Sequence, residues 1–160
     1  MDVIGAKRSI IMAVINDHRG QLEQMRPSNK ELKRSLNVTG FHRGDDDPQA
    51  YSTAAVAAQA THREKTILKN IGELNELATQ LKNNNGHIGE GSLIQMNSGG
   101  EVAWFFILPC LTGKEYEIPE IDGEITVISP HAEIAKQARS VCKGKQFEIN
   151  GTTHWVIESF

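Results

Sequence analysis

Two apolar stripes with heptad spacing run through the first half of the chain and restrict how it can fold. The first stripe has steps of three and four and consists of Ile11, Ile15, His18, Leu22, Met25, Asn29, Leu32 and Leu36. The second consists of Val56, Ala60, Arg63, Ile67, Ile71, Leu74, Ala78 and Leu81. Each stripe is too narrow to cover a globular core, so we predict an antiparallel coiled-coil hairpin of two long helices over residues 1–82. Each helix of about 33 residues would be roughly 50 Å long.

Three residues interrupt these helix patterns. Gly20, Pro27 and Gly72 would each weaken or kink a helix, because glycine lowers helix propensity and proline lacks the backbone N–H. The pair Pro27-Ser28 also allows a second interpretation, in which one helix ends and another begins with proline in its first turn.

The connection between the two helices is predicted at residues 40–48, where two glycines end the first helix and Pro48 opens the second. It contains three consecutive carboxylates, Asp45, Asp46 and Asp47. One explanation is structural, because Asp47 suits an N-cap and acidic residues are stabilised near a helix N-terminus. The other is functional, because clustered oxygen donors at a tip can complete a Mg²⁺ site offered by a partner. Spacing alone does not decide between them.

Composition changes between the two halves. Residues 1–82 hold 12 Lys/Arg and 10 Asp/Glu, whereas residues 83–160 hold 5 and 10, so the formal net charge of −3 conceals an asymmetry. Both tryptophans and four of the five phenylalanines follow Gly100. A polar, glycine-rich stretch at residues 83–91 separates the halves. We therefore predict a linker there and a second domain over residues 92–160.

The second domain is predicted to be a compact unit of strands with one helix. Strand-like patterns cover residues 92–96, 102–108, 124–128, 146–149 and 153–157. Turn signals join two pairs of them, at residues 97–100 and at Asn150-Gly151, the latter suited to a type I′ turn. Ser129-Pro130 would open a helix that continues to about Cys142. The fold class is thus α+β, with one helix across an antiparallel sheet.

Several function classes are disfavoured by composition. Apolar residues make up 39% of the chain and charged residues 23%, which is typical of globular proteins. No run of about 18 apolar residues suggests a membrane span, so we expect a soluble, cytoplasmic protein without a signal peptide. Cys110 and Cys142 lack metal or redox spacing. The six histidines also lack the spacing of metal ligands; they are His18, His42, His62, His87, His131 and His154.

A basic stretch on the first helix has two interpretations. Its members are Arg26, Lys30, Lys33, Arg34 and Arg43. It is either a solvated helix face or a contact with nascent RNA or an acidic protein surface. Aromatic residues do not alternate with these cations, which argues against an independent nucleic-acid reader.

The C-terminal half resembles a known family. Residues 128–136 read Ile-Ser-Pro-His-Ala-Glu-Ile-Ala-Lys, and residues 143–149 read Lys-Gly-Lys-Gln-Phe-Glu-Ile. This pattern is similar to the C-terminal signature of the bacterial Gre transcript-cleavage factors, in which a strand ends in Ser-Pro, a helix follows and a glycine introduces the next strand. In the first half, Arg26-Pro27, Gly44-Asp45 and Tyr51 also resemble the Gre pattern. Asp45 aligns with the family's Asp, whereas the family's Glu has Pro48 opposite it, or Asp47 if one residue is deleted.

The resemblance implies a monomeric accessory factor of bacterial RNA polymerase that is not itself an enzyme. An FKBP-like C-terminal domain would dock on the polymerase through Ser129, Pro130, Ile134 and Lys136. The coiled coil would enter the secondary channel and could touch nascent RNA. The tip carboxylates Asp45, Asp46 and Asp47 would stimulate cleavage of backtracked RNA, with Asp45 and Asp47 as ligands of a Mg²⁺ shared with the polymerase. No tightly bound cofactor is implied.

Three alternatives are also compatible with the sequence. Relatives with altered tips occupy the channel and modulate or inhibit the polymerase without stimulating cleavage. An FKBP-like domain could instead catalyse prolyl isomerisation, although fold does not imply function. The apolar stripes could also serve a coiled-coil adaptor that forms homodimers.

Overall fold

The structure is a computed structural model that describes residues 2–39, 48–82, 87–110, 113–141 and 143–160. Its elements, in chain order, are α1 (Val3–Thr39), α2 (Pro48–Gln80), β1 (Leu93–Ser98), β2 (Glu101–Ile107), β3 (Glu115–Ile118), β4 (Ile121–Ile128), α3 (Glu133–Ser140), β5 (Gln146–Ile149) and β6 (Thr152–Ser159). The predicted α+β class, with two long N-terminal helices before a sheet, is confirmed. Within the described ranges, no helix carries an apolar stretch long enough to cross a membrane.

Helix α1 begins with a side-chain cap and continues without a break. The backbone N–H of Gly5 donates to the carboxylate of Asp2 at 3.0 Å, which satisfies one donor of the first turn. The helix then runs through Gly20 and Pro27. The alternative of a break at Pro27-Ser28 is therefore wrong. Seam residues are buried on both sides of the proline, which favours one continuous helix over two.

The two helices run antiparallel, as two side-chain contacts show. Asn29 contacts Glu64, and the earlier His18 contacts the later Asn70. On α1 the predicted stripe is confirmed where its side chains are described: its buried members are Ile11, Ile15, His18, Leu22 and Asn29.

On α2 the predicted stripe is wrong at two positions. Val56 is 50% exposed and Arg63 is also exposed, whereas Ala57 is buried and Glu64 is half-buried. The seam therefore follows residues 57, 60, 64, 67, 71 and 74, with steps that alternate between three and four. The stripe chosen from the sequence needed two successive steps of four. An uninterrupted heptad keeps one face of the helix toward its partner, which explains the observed choice.

The chain divides into two compact units. One consists of Met1–Val14 with Glu73–Phe160, and the other is Ile15–Gly72. The first unit thus contains the beginning of α1, the end of α2 and the entire sheet. The second contains the remainder of both helices.

The sheet has six strands in the order β3-β4-β2-β1-β6-β5. Four of the five described strand pairs are antiparallel, as predicted. The pair β2–β4 is parallel, with Trp104 opposite Ile125, and here the prediction of an antiparallel sheet is wrong. The chain reaches β4 through β3 rather than through a direct hairpin from β2, so β4 runs in the same direction as β2.

Two predicted boundaries in this region also differ. Strand β3 was not predicted, and β4 begins at Ile121 rather than Glu124, because the turn falls at Pro119-Glu120. Gly123 lies within β4 at φ +107°, a backbone conformation that favours glycine. The helix after Ser129-Pro130 spans only Glu133–Ser140.

The core of the sheet lies against α3. Ala135 and Ala138 on α3 join a buried cluster formed by Ile94, Met96, Ile107, Phe147 and Val156. Alternate residues of the same strands point to the opposite face, where Leu93 and Phe106 are paired and fully buried. On that face Trp104 also stacks on Phe160, with ring centroids 6.4 Å apart. The Asn150-Gly151 turn has positive φ at both residues, which confirms type I′.

Candidate functional site

The predicted tip connects α1 to α2. Helix α1 ends at Thr39 and α2 begins at Pro48, so the acidic run stands between two helix ends. Its residues Asp45, Asp46 and Asp47, together with Arg43, lie outside the described residues. Three carboxylates supply hard oxygen donors, which is the ligand type that Mg²⁺ prefers.

Two polar pairs interrupt the apolar seam of the hairpin. The side-chain amide of Asn29 donates to the Glu64 carboxylate at 3.3 Å, and Asn29 is buried. His18, also buried, lies 3.4 Å from the Asn70 amide through its Nε2 atom. A buried polar residue in a seam stabilises less than an apolar one, but it favours the one alignment that satisfies it. These pairs therefore favour a single register between the helices.

The basic stretch on α1 faces solvent where its side chains are described. Arg26, Lys30 and Arg34 are exposed. The side chain of Lys33 lies outside the described part, although its backbone belongs to α1. Exposure fits both interpretations of this stretch, a solvated face and a contact with RNA or an acidic surface.

Ser129 and Pro130 shape the entrance to α3. The Ser129 hydroxyl accepts a hydrogen bond from the backbone N–H of His131 at 3.0 Å. The backbone carbonyl of Ser129 accepts another from the backbone N–H of Ala132 at 3.1 Å. Both Ser129 and Pro130 are buried. Their burial indicates that they position the helix start and have little surface left for direct contact with a partner.

The other two predicted docking residues differ in exposure. Ile134 is half-buried and packs against the core cluster, whereas Lys136 is exposed. Arg139, one turn later, is exposed as well. The exposed side of α3 therefore carries the cations Lys136 and Arg139, and apolar residues on its other side pack against the sheet.

Lys7 is a buried cation that was not predicted from the sequence. Its side chain is 0% exposed, and its ammonium donates to the carbonyl oxygen of Lys82 at 3.1 Å, just after the end of α2. Burial lowers the pKa of Lys7 from 10.5 to about 8, because water no longer stabilises the charge. A cation beside the C-terminal end of a helix is favourable, which offsets part of that cost. The contact ties the beginning of α1 to the segment after α2.

A second contact ties α1 to the sheet within the same compact unit. The Ser9 hydroxyl donates to the carboxylate of Glu120, a residue of the turn between β3 and β4, at 2.9 Å.

Cys110, ten residues before Glu120 in the sequence, is buried. Burial raises the pKa of the Cys110 thiol from 9.0 to about 11. A backbone hydrogen bond opposes this shift, and the Glu73 carboxylate adds a smaller increase. Because the thiolate form of Cys110 is disfavoured, this residue is a poor nucleophile.

Among the described residues, no group of three or more His, Cys, Asp or Glu side chains could hold a metal ion. No protein-family model matches the chain, and no curated protein matches it.

Proposed function

We propose that this chain is a Gre-type elongation factor that binds bacterial RNA polymerase and stimulates cleavage of backtracked RNA. One observation carries the proposal, which is the order of parts along the chain. Two long antiparallel helices are joined by a connection whose sequence contains three aspartates. After them comes a sheet, and the turn at Ser129-Pro130 precedes a helix that packs on this sheet. This combination matches the order of parts that the sequence resemblance implies. The C-terminal unit would be FKBP-like and would dock on the polymerase.

The length of the helices is suited to this role. Helix α1 has 37 residues and α2 has 33, which corresponds to about 55 and 50 Å at 1.5 Å per residue. In the proposed complex the hairpin occupies the secondary channel, and exposed Arg26, Lys30 and Arg34 can contact the channel wall or nascent RNA. The polymerase remains the enzyme, and the chain acts as a cytoplasmic monomer.

The tip residues would contribute charge rather than a complete site. Asp45 and Asp47 are the proposed ligands of a Mg²⁺ shared with the polymerase, and Asp46 adds negative charge beside them. Such an ion, when bound, stabilises the attacking and leaving oxygens of phosphodiester hydrolysis. Three adjacent carboxylates form no octahedral cage on their own, so the isolated chain should bind Mg²⁺ weakly.

A second function is favoured by one departure from the family pattern. The family's tip Glu has no identical counterpart, since Pro48 stands opposite it without a gap. A tip that lacks this acid could enter the channel and modulate or inhibit transcription without stimulating cleavage. Both candidate functions require the hairpin to enter the channel, and they differ only in the chemistry at the tip.

Entry into the channel can be tested separately from cleavage. A photo-crosslinking amino acid in place of His42 should attach the tip to polymerase segments beside the active centre. The same group in place of exposed Glu148 on β5 should crosslink elsewhere or not at all. Crosslinks from residue 42 only to the outer surface of the polymerase would refute both candidate functions, whatever the cleavage assay shows.

A further inference from the structure

Two large apolar side chains are exposed in one row of the sheet. Val102 on β2 is 56% exposed, and Trp155 on β6 is 53% exposed. Both lie opposite Asn97 on β1, which separates them. Opposed residues of paired strands share a face, and two strand spacings place Val102 and Trp155 about 10 Å apart. Single exposed apolar residues are common on proteins, whereas two in one row form a patch suited to an interaction.

Packing within the chain accounts for one tryptophan of this face but not for the other. Trp104, two residues after Val102 on β2, is half-buried and stacks on Phe160. The indole of Trp155 has no ring contact with any residue that the structure describes. Strand β6 is also an inner strand, between β1 and β5, so an exposed indole there protects no sheet edge. The indole face is therefore available to a group outside the chain.

A carboxylate borders the exposed indole. Gln146 on β5 lies opposite Trp155, so Glu148, two residues later on the same face, is its diagonal neighbour. Diagonal neighbours in a strand pair are about 7–8 Å apart, within reach of aromatic and long side chains. Strands β1, β2, β5 and β6 contain three glutamates and no Lys or Arg. Of these, Glu158 pairs with Lys143, whereas Glu148 is exposed and makes no ion pair within the described part of the chain.

The other polar groups of the patch suit a protein ligand. Asn97 accepts a hydrogen bond from the backbone N–H of Gly100 through its side-chain oxygen, at 2.9 Å. Its side-chain NH2 group can therefore donate to a backbone carbonyl of a partner. Glu148 lies on the outermost strand, where a charge hinders pairing between molecules. That role accounts for the carboxylate alone and not for the exposed indole beside it.

We propose that Trp155 and Glu148 form a site for an arginine side chain of a partner protein. A guanidinium can stack on the indole, whose π face attracts a cation, while its N–H groups pair with the Glu148 carboxylate. An apolar residue of the same partner segment can cover Val102. Charge complementarity selects this occupant, because the phosphates of a nucleic acid would be repelled by the unpaired carboxylate. This site does not depend on polymerase binding.

The test uses the full chain and a labelled peptide of three Arg-Val-Gly repeats. Fluorescence anisotropy should show binding that weakens as salt is raised, and the NMR signal of the Trp155 indole N–H should shift while that of Trp104 stays in place. Glu148→Gln should weaken binding about threefold or more. Trp155→Leu should weaken it about fivefold or more, because leucine is apolar but lacks the aromatic ring.

Glu101→Gln provides a matched control. Glu101 is an exposed residue that directly precedes Val102, so it lies on the other face of the sheet. Its substitution makes the same charge change and should alter affinity less than about 1.5-fold. A peptide with lysine in place of arginine should bind about twofold or more weakly, because an ammonium does not stack on the indole as a planar guanidinium does. A peptide with glutamate in place of arginine should not bind.

Several results would overturn the proposal. They are no binding of the arginine peptide, equal losses of affinity from Glu101→Gln and Glu148→Gln, and equal affinity for the lysine and arginine peptides. A single-stranded oligonucleotide that shifted the Trp155 signal would identify a different class of ligand. Sedimentation that showed a dimer lost in Trp155→Leu would mean that a second copy of the chain covers the patch, which also contradicts an arginine site for a partner.

Discussion

The side-chain amide of Asn29 on α1 donates a hydrogen bond to the Glu64 carboxylate on α2, 3.3 Å away across the helical hairpin. Asn29 is buried, and Glu64 is half-buried. Because the seam on α2 passes through residue 64 rather than Arg63, the carboxylate faces the amide. The pair thus links the register of the hairpin to one polar contact in an otherwise mostly apolar interface.

The first prediction concerns the strength of this pair. Asn29→Leu and Glu64→Leu, measured singly and together by urea denaturation, should give a coupling free energy of about 1 kcal/mol. The double variant should be at least as stable as the wild type, because apolar residues replace a polar pair in a seam. Additive effects of the two substitutions would show that the hydrogen bond contributes nothing to stability.

The second prediction concerns the pH dependence of stability caused by Lys7. The pKa of Lys7 is about 8 in the folded chain, lowered from the ordinary value of 10.5 that applies to the unfolded chain. Between pH 8 and pH 10.5, Lys7 therefore keeps its proton in the unfolded chain and has released it in the folded chain. The free energy of unfolding should therefore increase as pH rises above about 8. Lys7→Met should remove this increase and raise stability at pH 7 by about 1–3 kcal/mol, since one pKa unit corresponds to about 1.4 kcal/mol.

The titration of Cys110 changes the free energy of unfolding in the opposite direction, so Cys110 must be present in both chains that are compared. Its pKa is raised from 9.0 to about 11, so its contribution to stability is complete below pH 9 and is lost as pH rises toward 11. The difference between wild type and Lys7→Met cancels this contribution, because both chains contain Cys110. An unchanged difference in unfolding free energy between pH 7 and pH 9 would show that Lys7 does not titrate in this range.

The third prediction separates the structural and the contact residues near α3. Ser129→Ala removes the hydrogen bond to the His131 N–H and should lower stability by about 1–2 kcal/mol, measured by thermal denaturation. Lys136→Glu alters only an exposed charge, so stability should stay within about 0.5 kcal/mol while polymerase affinity falls about tenfold or more.

Lys82→Glu provides a matched control, because it makes the same charge change at an exposed residue of the same compact unit. It should leave polymerase affinity within about twofold. Equal losses of affinity from Lys82→Glu and Lys136→Glu would indicate a general charge effect and would remove α3 from the docking surface.

The helices and most strands could be predicted because their periodicity is local. Heptad spacing identified α1 and its seam, and the Asn150-Gly151 signal identified the turn between β5 and β6. Strand β3 also carries a local signal, the alternation Glu-Tyr-Glu-Ile over Glu115–Ile118, but four residues make a short pattern that is easily overlooked. The strand that follows includes Gly123, whose positive φ is accommodated inside β4.

Features that depend on tertiary packing could not be predicted in the same way. The parallel pairing of β2 with β4 depends on where β3 is inserted, which strand periodicity does not reveal. Val56 and Ala57 are both apolar, and only the contact between the helices decides which one is buried. Lys7 had a weak signal, since it precedes Ile11 by four residues on the apolar face of α1. The burial of Ser129 and Pro130 likewise follows from how α3 packs on the sheet.

The most direct test of the proposed function is RNA cleavage in a stalled, backtracked polymerase complex. Wild type should shorten the RNA from its 3′ end, and Asp45→Asn/Asp46→Asn/Asp47→Asn should reduce that rate about 100-fold or more while polymerase affinity stays within about twofold. Of the single variants, Asp45→Asn should be the most damaging and Asp47→Asn the next. No cleavage by wild type at any Mg²⁺ concentration would contradict cleavage stimulation. If transcription were then slowed in a manner lost in the triple variant, the chain would be a channel-occupying modulator.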